Sequence, residues 1–319
     1  MTSDPILESA PGTSQQSGFR RVFVGPHGIR AGWRLLLFLA FFAVLLFLVE
    51  GGMGLIPGVA ATAKQTRQGN VLTPRFELVF ESVSLAVALL SAGIMGRIEK
   101  RPFAAYGMPW AAAFGRMFWQ GAVWGLAFEC LEMLVIYAFG GFTVGTLALA
   151  GFELLKHAVL WAIAFTIVGM FEEFLFRGYA QFTLASGVGF WPAAVVLSAL
   201  FGAVHLTNPK EGWVGALSVF LFGMFACLTL RRTGSLWFAV GFHAAGDYAE
   251  TFIFSVPDSG ILATGHLLNS SLHGPRWLTG GFIGPEASLI CFALFAIAFP
   301  AFHWAYPAKK AQPRIYQAS

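Results

Sequence analysis

Eight stretches of roughly twenty apolar residues, separated by short polar connections, are what most narrows the folds open to this chain. A hydrocarbon layer about 30 Å thick is crossed by about 20 helical residues, and the stretches fall near 33–57, 77–96, 117–139, 157–185, 189–207, 213–230, 236–256 and 282–305. With 57% hydrophobic and only 11% charged residues, the chain is too apolar for a soluble domain of its 319 residues. Its apolar runs are of helix length, too long for the tilted strands of a barrel. The expected fold is an all-α polytopic bundle of about eight spans, integral and multi-pass in the bilayer.

Lys and Arg set the orientation. With both termini cytoplasmic, the inner segments hold 14 of them: Arg20, Arg21, Arg30, Arg34, Arg97, Lys100, Arg101, Arg116, Arg177, Arg231, Arg232, Lys309, Lys310 and Arg314. The other side holds six: Lys64, Arg67, Arg75, Lys156, Lys210 and Arg276. A net charge of +4 is what this bias leaves behind, so the basic balance asks for no nucleic-acid partner. Residues 1–32 are polar, rich in Ser, Gly and Pro, and read as a disordered cytoplasmic tail rather than a cleaved leader. Cys130, Cys227 and Cys291 are odd in number and all lie in apolar runs, as packing residues do.

Against this apolar background, three short motifs stand out: Glu172-Glu173 with Arg177, Phe201 with His205, and His243 with Asp247. Ionisable groups are costly in hydrocarbon and mark function when they cluster there. Two imidazoles, several carboxyls and one guanidinium can activate water, which points to a membrane hydrolase. Glu173 and Arg177 are four apart and share a helix face, whereas Glu172 is turned about 100° from Glu173 and is left free as a general base. Phe201 and His205 share a face, as do His243 and Asp247, which can orient an imidazole or supply two metal ligands from one turn. For the three motifs to meet at one depth, the first must sit on a long helix, so the spacing predicts one helix from about His157 to Ala185 and a site within the bilayer. Glu50, Glu81, Glu129 and Glu132, in the first three spans, read as interfacial or internally paired carboxyls outside any wider polar constellation.

The chain divides accordingly into the tail 1–32, three supporting spans in 33–150, a four-helix core in 151–256, a loop at 257–281 placed to act as a lid, and a last span with a cytoplasmic tail in 282–319. Gly121-x-x-x-Gly125 and Gly280-x-x-x-Gly284 have the spacing of close helix contacts.

The ordered set Glu-Glu-x-x-x-Arg, Phe-x-x-x-His and His-x-x-x-Asn/Asp, spread over about residues 157–256, resembles the CPBP family of intramembrane proteases, also called ABI. That family includes the type II CAAX prenyl endopeptidases and bacterial relatives tied to bacteriocin processing or self-immunity. The resemblance implies that Glu172 is the catalytic carboxylate, that His205 helps activate the attacking water, and that His243 and residue 247 stabilise the oxyanion. Glu173, Arg177 and Phe201 are implied as supporting residues.

Asparagine is common in the family at the position of Asp247. An ionised aspartate cannot donate to an oxyanion, so Asp247 is either protonated, an acceptor that orients His243, or a cation ligand. Glu172, Glu173 and Asp247 against Arg177 leave two negative charges. A Zn2+ ion held by Glu172, His205, His243 and Asp247 would answer them, and so would protonation in a metal-free mechanism. The implied partner is a peptide or protein substrate delivered through the bilayer, prenylated or otherwise hydrophobic. Two other readings keep the same motifs without proteolysis: a non-catalytic immunity or scaffold protein, and an ion-coupled transporter, although the chain shows none of the paired repeats typical of transporters.

Overall fold

The computed structural model describes residues 22–25, 28–61, 71–208 and 210–307. Most of the N-terminal tail, Lys64, Arg67 and the basic C-terminal residues counted above lie outside them. The protein is an all-α polytopic helical bundle. Among the described residues, five helical rods are long and apolar enough to cross a membrane: α1 (Ala31–Gly54), α2 (Pro74–Glu99), α3 (Arg116–Ala138), a 38-residue rod from Gly151 to Val188, and α7 (Trp213–Thr233). Shorter apolar helices are α6 (Phe190–His205) and α9 (Leu289–Ala305). α8 (Trp237–Asp247) continues into a π-helical turn over Tyr248–Phe254.

The 38-residue rod starts and ends beyond the expected limits and is not uniform. It comprises α4 (Gly151–Glu173), a π segment (Phe174–Ala180) broken at Gly178 (φ −83°, ψ −111°), and α5 (Gln181–Val188). π turns concentrate at functional sites and bend the rods that carry them. Here they follow directly after both Glu172-Glu173 and Asp247.

Local chemistry sets several ends. Thr73 caps α2, its Oγ1 accepting from Phe76 N at 3.2 Å, with Pro74 at the first helical position and Lys100 left-handed (φ 55°) at the far end. These caps extend α2 over Arg75, Glu77, Arg97 and Glu99, past its apolar stretch. The last span is shorter than expected. Gly284 at φ +132° and Pro285 hold residues 282–287 out of the helix, and Ser288 caps α9 by accepting from Cys291 N at 3.0 Å.

Helices approach closely where glycine removes a side chain. A Cβ on Gly121 or Gly125 of α3 would collide with the carbonyls of Phe238 or Phe242 on α8, and one on Gly241 with that of Phe118. The spacing Gly280-x-x-x-Gly284 has a different origin. Both residues lie in a left-handed turn, where a Cβ on the first would strike the carbonyl of the second. Part of the 257–281 connection is tied down by backbone pairing: Leu262–Ala263 lies parallel to Val71–Leu72, and Ser271–Leu272 antiparallel to Phe142–Thr143. The three cysteines are free, Cys130 exposed and the other two buried.

Candidate active site

α4 crosses α8 at Gly169, whose missing side chain lets the backbone approach Val240 and the Cβ of His243. That crossing brings three carboxyls around one imidazole. His243 Nε2 lies 3.5 Å from Glu172 Oε2 and 3.4 Å from Asp247 Oδ2, while its Nδ1 lies 3.3 Å from Glu173 Oε1. Both ring nitrogens therefore face acceptors. Phe222 packs edge-on against the ring at 4.7 Å between centroids.

Glu173 is fully buried and pairs with Arg177, Nη1 to Oε1 at 3.1 Å. The guanidinium is equally buried and stacks over Phe201 at 4.3 Å. A Cβ on Gly223 would collide with Arg177 Nη2, so α7 needs glycine there to admit the cation. Phe201 in turn meets the His205 ring at 4.6 Å, and His205 Nδ1 donates to the Phe201 carbonyl at 2.9 Å. With its proton spent on that carbonyl, the ring presents Nε2 as an acceptor. A continuous run of contacts from His243 through Glu173, Arg177 and Phe201 to His205 thus joins the three motifs.

Glu172, Phe201, His205, His243 and Asp247 all line one cavity of about 710 Å³ between the helices. Glu173 and Arg177 sit behind its wall. The cavity is far more acidic than the motifs alone suggest. Besides Glu172 and Asp247 it is lined by Glu77, Glu81, Glu129, Glu132, Glu250, Asp258 and Glu286, and among the described residues no Lys or Arg side chain lines it.

This corrects the reading of Glu81, Glu129 and Glu132 as carboxyls outside any constellation. α2 and α3 turn them inward, and Ser288 Oγ donates to Glu132 Oε1 at 2.8 Å. Glu50 is not among the lining residues. Glu77, Glu250, Asp258 and Glu286 carried no sequence signal beyond Glu250 lying three residues after Asp247 on the same rod. Arg177, counted among the inner charges, is a buried core residue and not a loop charge. Asp258, Ser259, Ile261 and Ala263 of the long connection wall the cavity, whereas its histidines serve the loops: His266 Nδ1 meets the Leu268 carbonyl at 2.7 Å and His273 Nε2 meets Thr143 Oγ1 at 2.8 Å.

Outside the spans, burial holds the Asp258, Glu211 and Glu286 carboxyls above the usual range, and nearby Asp258 adds to the effect at Glu286. Among the described residues, the donor atoms that gather closely enough to grip one metal ion belong to Glu250, Asp258 and Glu286. The set expected to hold zinc does not gather in this way. Glu172 and Asp247 converge on His243, and among the described residues His205 forms no ion pair with a carboxylate.

Residues 154–249 match the family model described as type II CAAX prenyl endopeptidase Rce1-like. That segment is similar to the Rce1-like family. No curated protein and no solved structure gave a significant match. The matched segment runs from early α4 to just past Asp247, 96 of the 319 residues, and contains all three motifs. Asp258 and Glu286 lie beyond it, as does Glu250 by a single residue.

Proposed function

We propose that the protein is an intramembrane endopeptidase that hydrolyses a peptide bond in a membrane-anchored substrate, of CAAX type or another hydrophobic sequence. The observation that carries this reading is that Glu172 and His205, from different helices, open onto one cavity inside a helical bundle and are joined behind its wall through Glu173, Arg177 and Phe201. In this reading Glu172 takes a proton from water while His205 Nε2 accepts the second hydrogen and fixes the oxygen lone pair toward the carbonyl carbon. The oxygen bonds to that carbon, the C–N bond breaks, and the leaving nitrogen takes up the proton that Glu172 holds.

His243 presents Nε2 at the edge of the same space and can donate to the developing oxyanion. Asp247, 3.4 Å from that nitrogen, accepts its hydrogen until the oxyanion forms, while Glu173 Oε1, 3.3 Å from Nδ1, is the acceptor that holds the ring. The four residues do not gather as one coordination sphere, and these side chains and water alone complete the reaction. Both termini are proposed on the cytoplasmic side, with Arg97, Arg101, Arg116, Arg231 and Arg232 at one end of the bundle. There Arg34 near the start of α1 meets Glu99 at the end of α2 at 3.0 Å.

The test is cleavage of a prenylated peptide and of an unprenylated transmembrane peptide by protein reconstituted in vesicles, wild type beside Glu172→Gln. Loss of cleavage in the variant, with its thermal unfolding unchanged, is the expected result. Wild-type cleavage by a folded Glu172→Gln protein overturns the reading.

A further inference from the structure

Beyond the catalytic motifs, three segments of the chain bring carboxylates to one point. Glu250 comes from the π turn that ends α8, Asp258 from the loop that follows, and Glu286 from the turn before α9. One oxygen from each lies within 4.8 Å of the other two. Ionised carboxylates this close repel one another, and burial makes the repulsion expensive unless a cation answers it. Among the described residues, the side chains lining the cavity include no Lys or Arg for that purpose.

A second observation comes from a different helix. Glu129 on α3 is 94% buried (6% exposed), lies in the electrostatic field of both Glu250 and Asp258, and leaves its Oε1 without a hydrogen-bond partner. Glu250, equally buried, leaves its own Oε1 without one. Buried acceptors are almost always satisfied in folded proteins, so two orphans on neighbouring elements point to a group that binds between them. The other two carboxylates are already oriented: Thr251 Oγ1 donates to Asp258 Oδ2 at 3.0 Å, and Ser259 N donates to Glu286 Oε1 at 2.7 Å. Such outer contacts are what aim ligands at an ion.

Gly284 keeps the approach open. A Cβ there would sit 2.9 Å from Glu250 Oε1 and collide with the Pro257 carbonyl, so the absent side chain leaves room beside that buried orphan oxygen and a backbone carbonyl.

We propose that Glu250, Asp258 and Glu286, with Glu129 beside them, hold a calcium-sized divalent cation in the wall of the cavity. The donors are all oxygen, which selects hard cations over zinc, and Ca2+ accepts irregular sets of protein oxygens at about 2.3–2.6 Å. Mg2+, with bonds of about 2.0–2.1 Å, demands regular octahedral geometry and gives up its waters reluctantly, so a set of protein oxygens from irregular segments suits it less well. Bound there, the ion ties the end of α8, the wall loop and the start of α9 to one another.

The test is equilibrium dialysis of EDTA-stripped, full-length protein in phosphatidylcholine nanodiscs against Ca2+ and, separately, Mg2+, with the bound metal counted by elemental analysis. One equivalent of Ca2+ above empty discs is expected, with Mg2+ held at least tenfold more weakly. The equivalent should persist in Glu172→Gln, and the Ca2+ dissociation constant should rise at least tenfold in Glu286→Gln and in Asp258→Asn. Two single variants are used so that a folding failure in one leaves the other to decide. Background Ca2+ in the wild type, or unchanged affinity in both variants, overturns the proposal. The readout is binding, so its failure is independent of whether the protein cleaves peptides.

Discussion

Glu173 and Glu250 are buried carboxylates on rods that border the same cavity, and they differ in what answers their charge. Glu173 has Arg177 at 3.1 Å and His243 at 3.3 Å, and the cation it holds is itself stacked on Phe201. Glu250 has two other carboxylates within reach and an oxygen with no partner. The first arrangement is internally neutral and serves as scaffold. The second is complete only with something the chain does not itself supply. Position in the fold does not separate the two; charge compensation does.

The sharpest way to break the comparison is at Glu172, which belongs to neither group. Glu172→Gln is expected to lower the cleavage rate about 10²- to 10⁴-fold, the range of a lost general base, while Ca2+ binding and thermal unfolding stay as in wild type; a cleavage assay beside dialysis reads both. Next in size is the scaffold pair. Arg177→Met leaves the buried Glu173 with only His243 to answer it, and a loss of about 3–5 kcal/mol in unfolding in mild detergent is expected, partly restored in the Glu173→Gln, Arg177→Met double variant. Full stability in the single variant would show that His243 alone suffices for Glu173.

Gly125→Leu forces α3 from the Phe242 backbone and is expected to cost about 1–3 kcal/mol or more. By moving Glu129 relative to Glu250 it should weaken Ca2+ binding while Arg177 and Phe201 keep their contact. The smallest effect concerns pH. Asp258 and Glu286 are held above the usual carboxylate range by burial, so the native state binds more protons there than the unfolded chain does, and cation-free stability falls as pH rises from that range toward the raised values. His243, His205, Glu172, Glu211 and Asp247 share the field around these two groups, and Thr251 and Ser259 donate to them. Saturating Ca2+ should flatten that slope, as thermal unfolding scans between pH 4 and 8, or about that span, would show.

What was legible in the sequence is what lies within one or two helical turns. Glu173 and Arg177 are four residues apart and meet; Phe201 and His205 are four apart and pack edge to face. The long rod through 172 was legible because the motifs could not otherwise reach one depth. The rest depends on which helices become neighbours. Glu77, Glu81, Glu129 and Glu132 sit on α2 and α3 among ordinary apolar spacings, and only the packing of α3 on α8 through Gly121, Gly125 and Gly241 turns the α3 pair toward the cavity. Asp258 and Glu286 lie in irregular segments, where periodicity carries no information about direction. The early end of the last apolar stretch follows from the backbone of Gly284, which hydropathy does not register.

The π segments at 174–180 and 248–254 have a bearing on how this chain tolerates change in length. A π turn takes up one more residue than an α turn, because its hydrogen bonds reach five residues along instead of four. An insertion in an ordinary helix swings everything beyond it by about 100°. Here the extra residue is already absorbed, and α5 beyond the first segment packs back onto α1 and α6. Deleting one residue inside either segment should therefore let it relax to α while both flanks keep their facing, making these the two places in the bundle where a shortened chain still lines up its helices.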